Sequence, residues 1–293
     1  MDDDLRMATA ALLNAVVRAG GEASKREDDP VVEAALAALR ALIASHPAAP
    51  HPCEQLAILQ HNLGRLDVAR RLYAEVTRLD PPRLLDDQQR RAIECLCPVL
   101  RTTVAECFPL RDCAAIHHPK DALIGYHFFW EDDWDYPDDD EPCDHEVAWV
   151  RYRPTDLAPV EVVSYFHGRI LTGQAPRADA RPTVCVQWGK HGSVPEGCAG
   201  REEVEAVLRR DFQSSSHGGR VPNHPLKQRW PPRFPGAWEE YVCFDRLVDP
   251  LPRLRDSGWL IAGRWVNAIL HDFFVPYNFH AKREWPDDGL SNL

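Results

Sequence analysis

Near residue 115 this chain changes the period at which its apolar residues recur, and that change limits what it can fold into. Before it the spacing is three and four. In DPVVEAALAALRALIASHP, Val32, Leu36, Leu39 and Ile43 share one helical face, with Pro30 opening the run and Pro47 beyond its end. After it come short runs rich in Val, Tyr, Phe and Trp, bounded by Pro, Asp and Gly: LIGYHFFW, HEVAWVRY, VEVVSYFHG and PTVCVQWGKHG. Runs of that kind read as strands. EEVEAVLRRDF, residues 202–212, reads as a helix among them, WEEYVCFDRLV as a further strand, and GWLIAGRWVNAILHDFFVPY fits neither period. The expected fold class is α+β: an α-helical domain over 1–114, followed by an antiparallel β-sandwich with a few helices over 115–293. Residues 214–236, SSSHGGRVPNHPLKQRWPPRFPG, read as a long loop of the kind that covers or walls a site.

Within the helical part, CEQLAILQHNLGRLDVARRLYAEVTRLDPP places Gly64 between two helical patterns. Ala69, Tyr73, Val76 and Pro81 follow on the second. A small Ala69 admits a neighbouring helix, Tyr73 fills the groove between them, and Pro81 ends the run. This spacing resembles the second helix of a tetratricopeptide repeat. One such repeat cannot bury its own face, so it needs further helices, which residues 85–108 can supply, or the other domain. The helical domain is then either a scaffold or a groove for a protein partner.

Composition narrows the classes. At 44% hydrophobic and 27% charged, the chain can bury a sizeable core and is not a disordered segment. A net charge of -11 repels phosphate backbones and anionic bilayers, which excludes nucleic acid as the expected partner. There is no run of apolar residues long enough for a membrane span. The start, MDDDLRMATAALLNAVV, is acidic with a short apolar stretch, unlike a secretory signal. Scattered cysteines without a CxxC pair predict reduced thiols and a cytoplasmic location.

The densest chemistry lies in HFFWEDDWDYPDDDEPCDHEVAWVRY, residues 127–152. On a strand, residues two apart share a face, so Asp144 and Glu146 point one way and His145 the other. His167 and His191 each end a strand beside a glycine. If those strands are neighbours, Asp144, Glu146, His167 and His191 converge as metal ligands. Two imidazoles with one or two carboxylates suit zinc, iron or manganese; more carboxylates favour manganese, magnesium or calcium. His127, Asp132 or Asp133 are candidates to complete the shell, and Lys190 to hold an anionic group of a substrate. Glu146, as general base, and His191 are the candidate catalytic residues. Asp138, Asp139 and Asp140 follow YP and read as a turn. Trp130, Trp134, Trp149 and Trp188 line a pocket or fill the core. His217, His224, His271 and His280 stand outside the set. DDWD at 132–135 also fits a magnesium–diphosphate cluster, but its proline and strand-like flanks do not suit the helix such a cluster uses.

The order DHEVAWV, SYFHG, RPTVCVQWGKHGSVP resembles the necrosis-inducing protein superfamily and the related vacuolar-sorting-like β-sandwich proteins, over about residues 123–197. Asp144 and Glu146 match the carboxylates of that group's Asp-aromatic-Glu strand motif, His191 its late histidine, and His167 a histidine of the intervening strand. The resemblance implies a β-sandwich whose carboxylates and histidine hold a divalent cation.

Three functions fit these residues. The first is a metal-dependent enzyme acting on a small molecule or peptide, with hydrolase or lyase chemistry favoured. The second is a non-haem iron oxygenase on the same ligands. The third is a partner-binding protein in which the metal is structural.

Overall fold

The computed structural model describes residues 29–133, 143–174, 180–213, 233–257, 260–273 and 282–287. The chain divides into two compact units, residues 1–83 with 263–293, and residues 84–262. Compactness therefore separates the chain at 83/84 where the change of period suggested 114/115, and it returns the last stretch to the N-terminal helices.

The first unit contains α1 (Pro30–Ser45), α2 (Pro50–Asn62), α3 (Leu66–Leu79) and α8 (Val266–Phe273). Asp29 accepts the Val31 N–H at 2.8 Å and caps α1, whose first helical residue is Pro30. Between α2 and α3 Gly64 takes φ +73°, and two bonds close the helix end: Gly64 N–H to His61 O at 2.8 Å and Arg65 N–H to Gln60 O at 2.9 Å. That pair of bonds is a Schellman cap, which needs a residue with no penalty in the left-handed region. Ala69, Tyr73 and Val76 are all buried against α2, as their spacing predicted. Trp265 and Ala268 join their apolar cluster. Thr77 donates to Asp272 at 2.6 Å, and the Trp265 indole donates to Asp80 at 2.7 Å. α2 is buried on nearly every side, its polar His51, Glu54, Gln55, Gln60 and His61 included.

The second unit opens with α4 (Asp87–Leu96), started by a capping box between Asp86 and Gln89. Among the described residues ten strands follow: β1 (Val99–Thr102), β2 (Leu110–His117), β3 (Leu123–Trp130), β4 (Asp144–Arg153), β5 (Ala158–Phe166), β6 (Arg169–Gln174), β7 (Thr183–Val186), β8 (Ser193–Pro195), β9 (Arg246–Val248) and β10 (Leu260–Ala262). α5 (Glu202–Gln213), α6 (Trp238–Tyr241) and α7 (Leu251–Ser257) lie among them. One sheet has six strands in the order β10-β2-β3-β4-β5-β6, the other four in the order β8-β7-β1-β9. β3, β4, β5 and α5 fall where the short runs and the 202–212 helix predicted them.

Two expectations change. The sheets are not wholly antiparallel: β1 pairs with β7 and β10 with β2 in parallel. Parallel neighbours need a long crossover, and several strands lie in sequence between the members of each pair. WEEYVCFDRLV is the one-turn helix α6 followed by β9, because Glu240 accepts the Ala237 N–H at 2.7 Å and closes a helical turn.

One apolar cluster draws on α4 and on both sheets, including Leu96, Leu100, Tyr126, Phe128, Trp130, Ala148, Val150, Val162, Val184 and Val186. The Ser164 hydroxyl donates to Ser193 O at 2.5 Å, tying β5 to β8. No described helix is long and apolar enough to cross a membrane.

Candidate functional site

Register decides which groups meet. β3 and β4 pair Trp130 with Asp144 and Phe128 with Glu146, so these four share the face that carries the apolar cluster. His127 pairs with Val147 and Phe129 with His145, on the opposite face. The alternation thus removes His127 from the set it was expected to complete. Its Nδ1 lies 3.0 Å from His145 Nε2, with the two rings stacked. Burial pushes His127 down to about 3, so that ring is neutral.

Asp144 and His191 do come together. His191 Nδ1 lies 2.8 Å from Asp144 Oδ2, and its Nε2 lies 3.3 Å from Glu106 Oε1. His191 is fully buried (0% exposed), and the side chains of Glu106 and Asp144 are 4% and 10% exposed. The Trp130 ring stacks on the imidazole at 4.3 Å and 6°. Burial works against a charged ring here, yet the Glu106 charge, then the hydrogen bonds of Asp144 and Glu106, outweigh it and hold His191 up to about 10. The backbone of His191 is left-handed, φ +50°. A non-glycine residue there costs roughly 1–3 kcal/mol and persists only where its surroundings over-determine it.

Glu106 was not among the expected site residues. It lies in the loop between β1 and β2, a segment without strong periodicity. Its Oε1 accepts the N–H of Cys107 at 2.9 Å and of Phe108 at 3.2 Å, and its Oε2 accepts Gly189 N–H at 3.3 Å.

The remaining expected residues are dispersed. His167 and Gly168 form the two-residue turn between β5 and β6, with φ of +45° and +81°. His167 Nε2 donates to Gln187 Oε1 at 2.6 Å and lies 3.6 Å from Asp211 Oδ2. Lys190 Nζ, expected to meet a substrate anion, lies 3.5 Å from Asp211 Oδ1 with its side chain buried. Asp132 is buried just past β3 and accepts the Asp133 N–H at 2.9 Å. Trp130, Trp149 and Trp188 are core. Trp134, Asp138, Asp139, Asp140, His217, His224 and His280 lie outside the described residues. His271 stacks on Tyr73 in the first unit.

Asp211 is a second hub. It accepts from Gln187 Nε2 at 2.8 Å and from Arg210 Nε at 2.8 Å. Burial alone would raise its carboxyl; Arg210, Gln187, Lys190 and His167 outweigh that and hold it below the usual carboxylate range. A sequence signal for it existed: on α5 it continues the buried stripe Val204, Val207, Leu208, Asp211, an acid in an apolar position.

Among the described residues no three or more His, Cys, Asp or Glu side chains gather as a ready metal centre. Glu106 and His191 still meet one test of fit. A charge-assisted N–H···O⁻ bond is about 2.7–2.9 Å, as the Asp144 contact is, and 3.3 Å is long for one. Two donors each about 2.1 Å from one ion, at angles of about 90–110°, stand about 3.0–3.4 Å apart. A carboxylate on the far ring nitrogen is the usual support of a ligating histidine. No family model matches the chain, and no curated protein or solved structure matches it either.

Proposed function

We propose that this protein is a divalent-cation-dependent enzyme, of hydrolase or lyase type, acting on a small molecule or peptide. The ion is held by His191 Nε2 and Glu106, with Glu146 on the same face of β4. The observation that carries this reading is the Asp144–His191–Glu106 line, with a short contact on Nδ1 and a long one on Nε2. Asp144, first expected as a ligand, then orients the ring from its other side. The bound ion would polarise a substrate oxygen and lower the pKa of a bound water, and Glu146 would act as the base beside it. Zinc, manganese and iron all suit such a donor set; iron would direct the site to oxygen chemistry. The two facing sheets are read as a β-sandwich, and α2–α3 as a tetratricopeptide-like pair.

A second reading makes the centre structural. His191 is completely buried, and Glu106 is already engaged by three backbone N–H groups. An imidazolium between two carboxylates would then staple the β1–β2 loop and the β7–β8 loop to β4.

The test is elemental analysis of protein purified without chelator, beside Glu106→Gln and His191→Gln. Near-stoichiometric zinc, manganese or iron in the parent, lost in both folded variants, supports the enzyme. A parent that stays metal-free after addition of all three ions leaves the staple.

A further inference from the structure

We infer that Asp211 is a positioning residue for His191, acting across the β7–β8 loop from α5. The loop, residues 187–192, carries His191 in its strained left-handed conformation. Two features fix that conformation from within: His191 N–H donates to Gln187 O at 3.0 Å, and Gln187 N–H to Gly192 O at 3.1 Å. Gln187 is therefore the base of the loop, and its side chain is gripped on every polar atom. Its Nε2 donates to Asp211 at 2.8 Å and to the Tyr241 hydroxyl at 3.1 Å, and its Oε1 accepts from His167 at 2.6 Å. Asp211 also stands 3.5 Å from the ammonium of Lys190, the residue before His191. One carboxylate thus touches the loop at its base and beside the histidine. Space at the end of the loop is closed: a Cβ at Gly192 would meet Phe166 at 2.9 Å and Gln187 Oε1 at 3.0 Å.

The consequence is directional. Asp211 touches neither Asp144 nor Glu106 in the contacts described above, yet it sets where the His191 ring stands between them. Converting its charge to a neutral amide loosens Gln187 and leaves the buried Lys190 without that carboxylate. The ring then loses its fixed place on the Asp144–Glu106 line. Arg210 also bonds Asp211, but its own side chain is 63% exposed and the bond described above reaches Asp211 alone.

The experiment compares full-length parent, Asp211→Asn, Gln187→Met and Arg210→Met, all metal-free at first. The first readout is the downfield ring N–H resonance of His191, assigned by its absence in His191→Gln. The second is zinc affinity by competition with a chelating dye, which rests on the metal reading above. Asp211→Asn and Gln187→Met are expected to shift and broaden the resonance, and to weaken zinc by about tenfold, as supporting groups behind a ligand do. Arg210→Met is expected to leave both as in the parent. Should Asp211→Asn not fold, Gln187→Met carries the comparison, since it removes the link from Asp211 to the base of the loop while keeping the carboxylate and its Lys190 contact. An unchanged His191 resonance in the folded Asp211 or Gln187 variant, or an equal change in Arg210→Met, overturns the inference. A parent that binds no zinc overturns the metal reading instead, and the resonance alone then decides the positioning role.

Discussion

The charged state of His191 makes a stability prediction with a defined sign. In the folded, metal-free protein the ring is held up to about 10, against about 6.5 when unfolded. Between those values the folded state binds one more proton than the unfolded state. Its contribution is therefore fully present below pH 6.5 and is lost as pH rises toward 10. The whole span, some 3.5 pH units, corresponds to roughly 5 kcal/mol at about 1.4 kcal/mol per unit. Cysteines complicate the upper half. Burial pushes Cys97 and Cys185 up to about 12, so they too lose stability once unfolded thiols ionise near pH 8.5. Thiol ionisation stays outside pH 6 to 8, where His191 accounts for about 2 kcal/mol; the buried neutral His127 acts there with the opposite sign, but equally in parent and variant, so it cancels from their difference. Urea unfolding of the parent and of His191→Gln, measured across that window, isolates it. At pH 6 the variant is expected to be less stable by roughly 3–5 kcal/mol, the cost of breaking a buried ion pair. By pH 8 that gap is expected to narrow by about 2 kcal/mol. A gap that stays constant from pH 6 to 8 would refute an imidazolium held between Asp144 and Glu106.

Other substitutions test the packing. Tyr73 is fully buried, and its hydroxyl has no hydrogen-bond partner among the described residues; Tyr73→Phe is expected to be neutral or stabilising by up to about 1 kcal/mol in thermal melts, whereas Tyr73→Ala should cost roughly 3–5 kcal/mol. Gly192→Ala forces a methyl to within 2.9 Å of Phe166 and is expected to lose about 1–3 kcal/mol in urea unfolding. Asp86→Ala removes the cap of α4 and should lower stability by about 1 kcal/mol, while Asp86→Ser largely preserves it.

How much of this was legible varied with the distance over which the cause acts. α3 follows from local period, its buried face matching the spacing of Ala69, Tyr73 and Val76, whereas β3 and β4 follow from their β-branched and aromatic runs and are buried on both faces. His191 and Asp144 were both readable as strand-end polar residues, and the structure joins them. Glu106 was not, because nothing local marks a loop glutamate whose partners come from three backbone amides and a histidine 85 positions on. His167 misled, since a histidine beside a glycine at a strand end also describes a tight hairpin turn. Asp211 was missed although its place on the apolar stripe of α5 was visible. The parallel pairings of β1 and β10 were out of reach because register across a long crossover leaves no mark in short runs.

The helical unit has one consequence for the order in which the chain assembles. The bond from Thr77 to Asp272 closes across 195 positions. At about 5–20 residues per second of synthesis, Thr77 waits about 10–40 s for its partner to be made. During that interval residues 84–262 are synthesised, so the inserted unit can mature first. Helices α1–α3, made before the inserted unit, are completed after it, and until then the surface that Trp265 and Ala268 will cover is open.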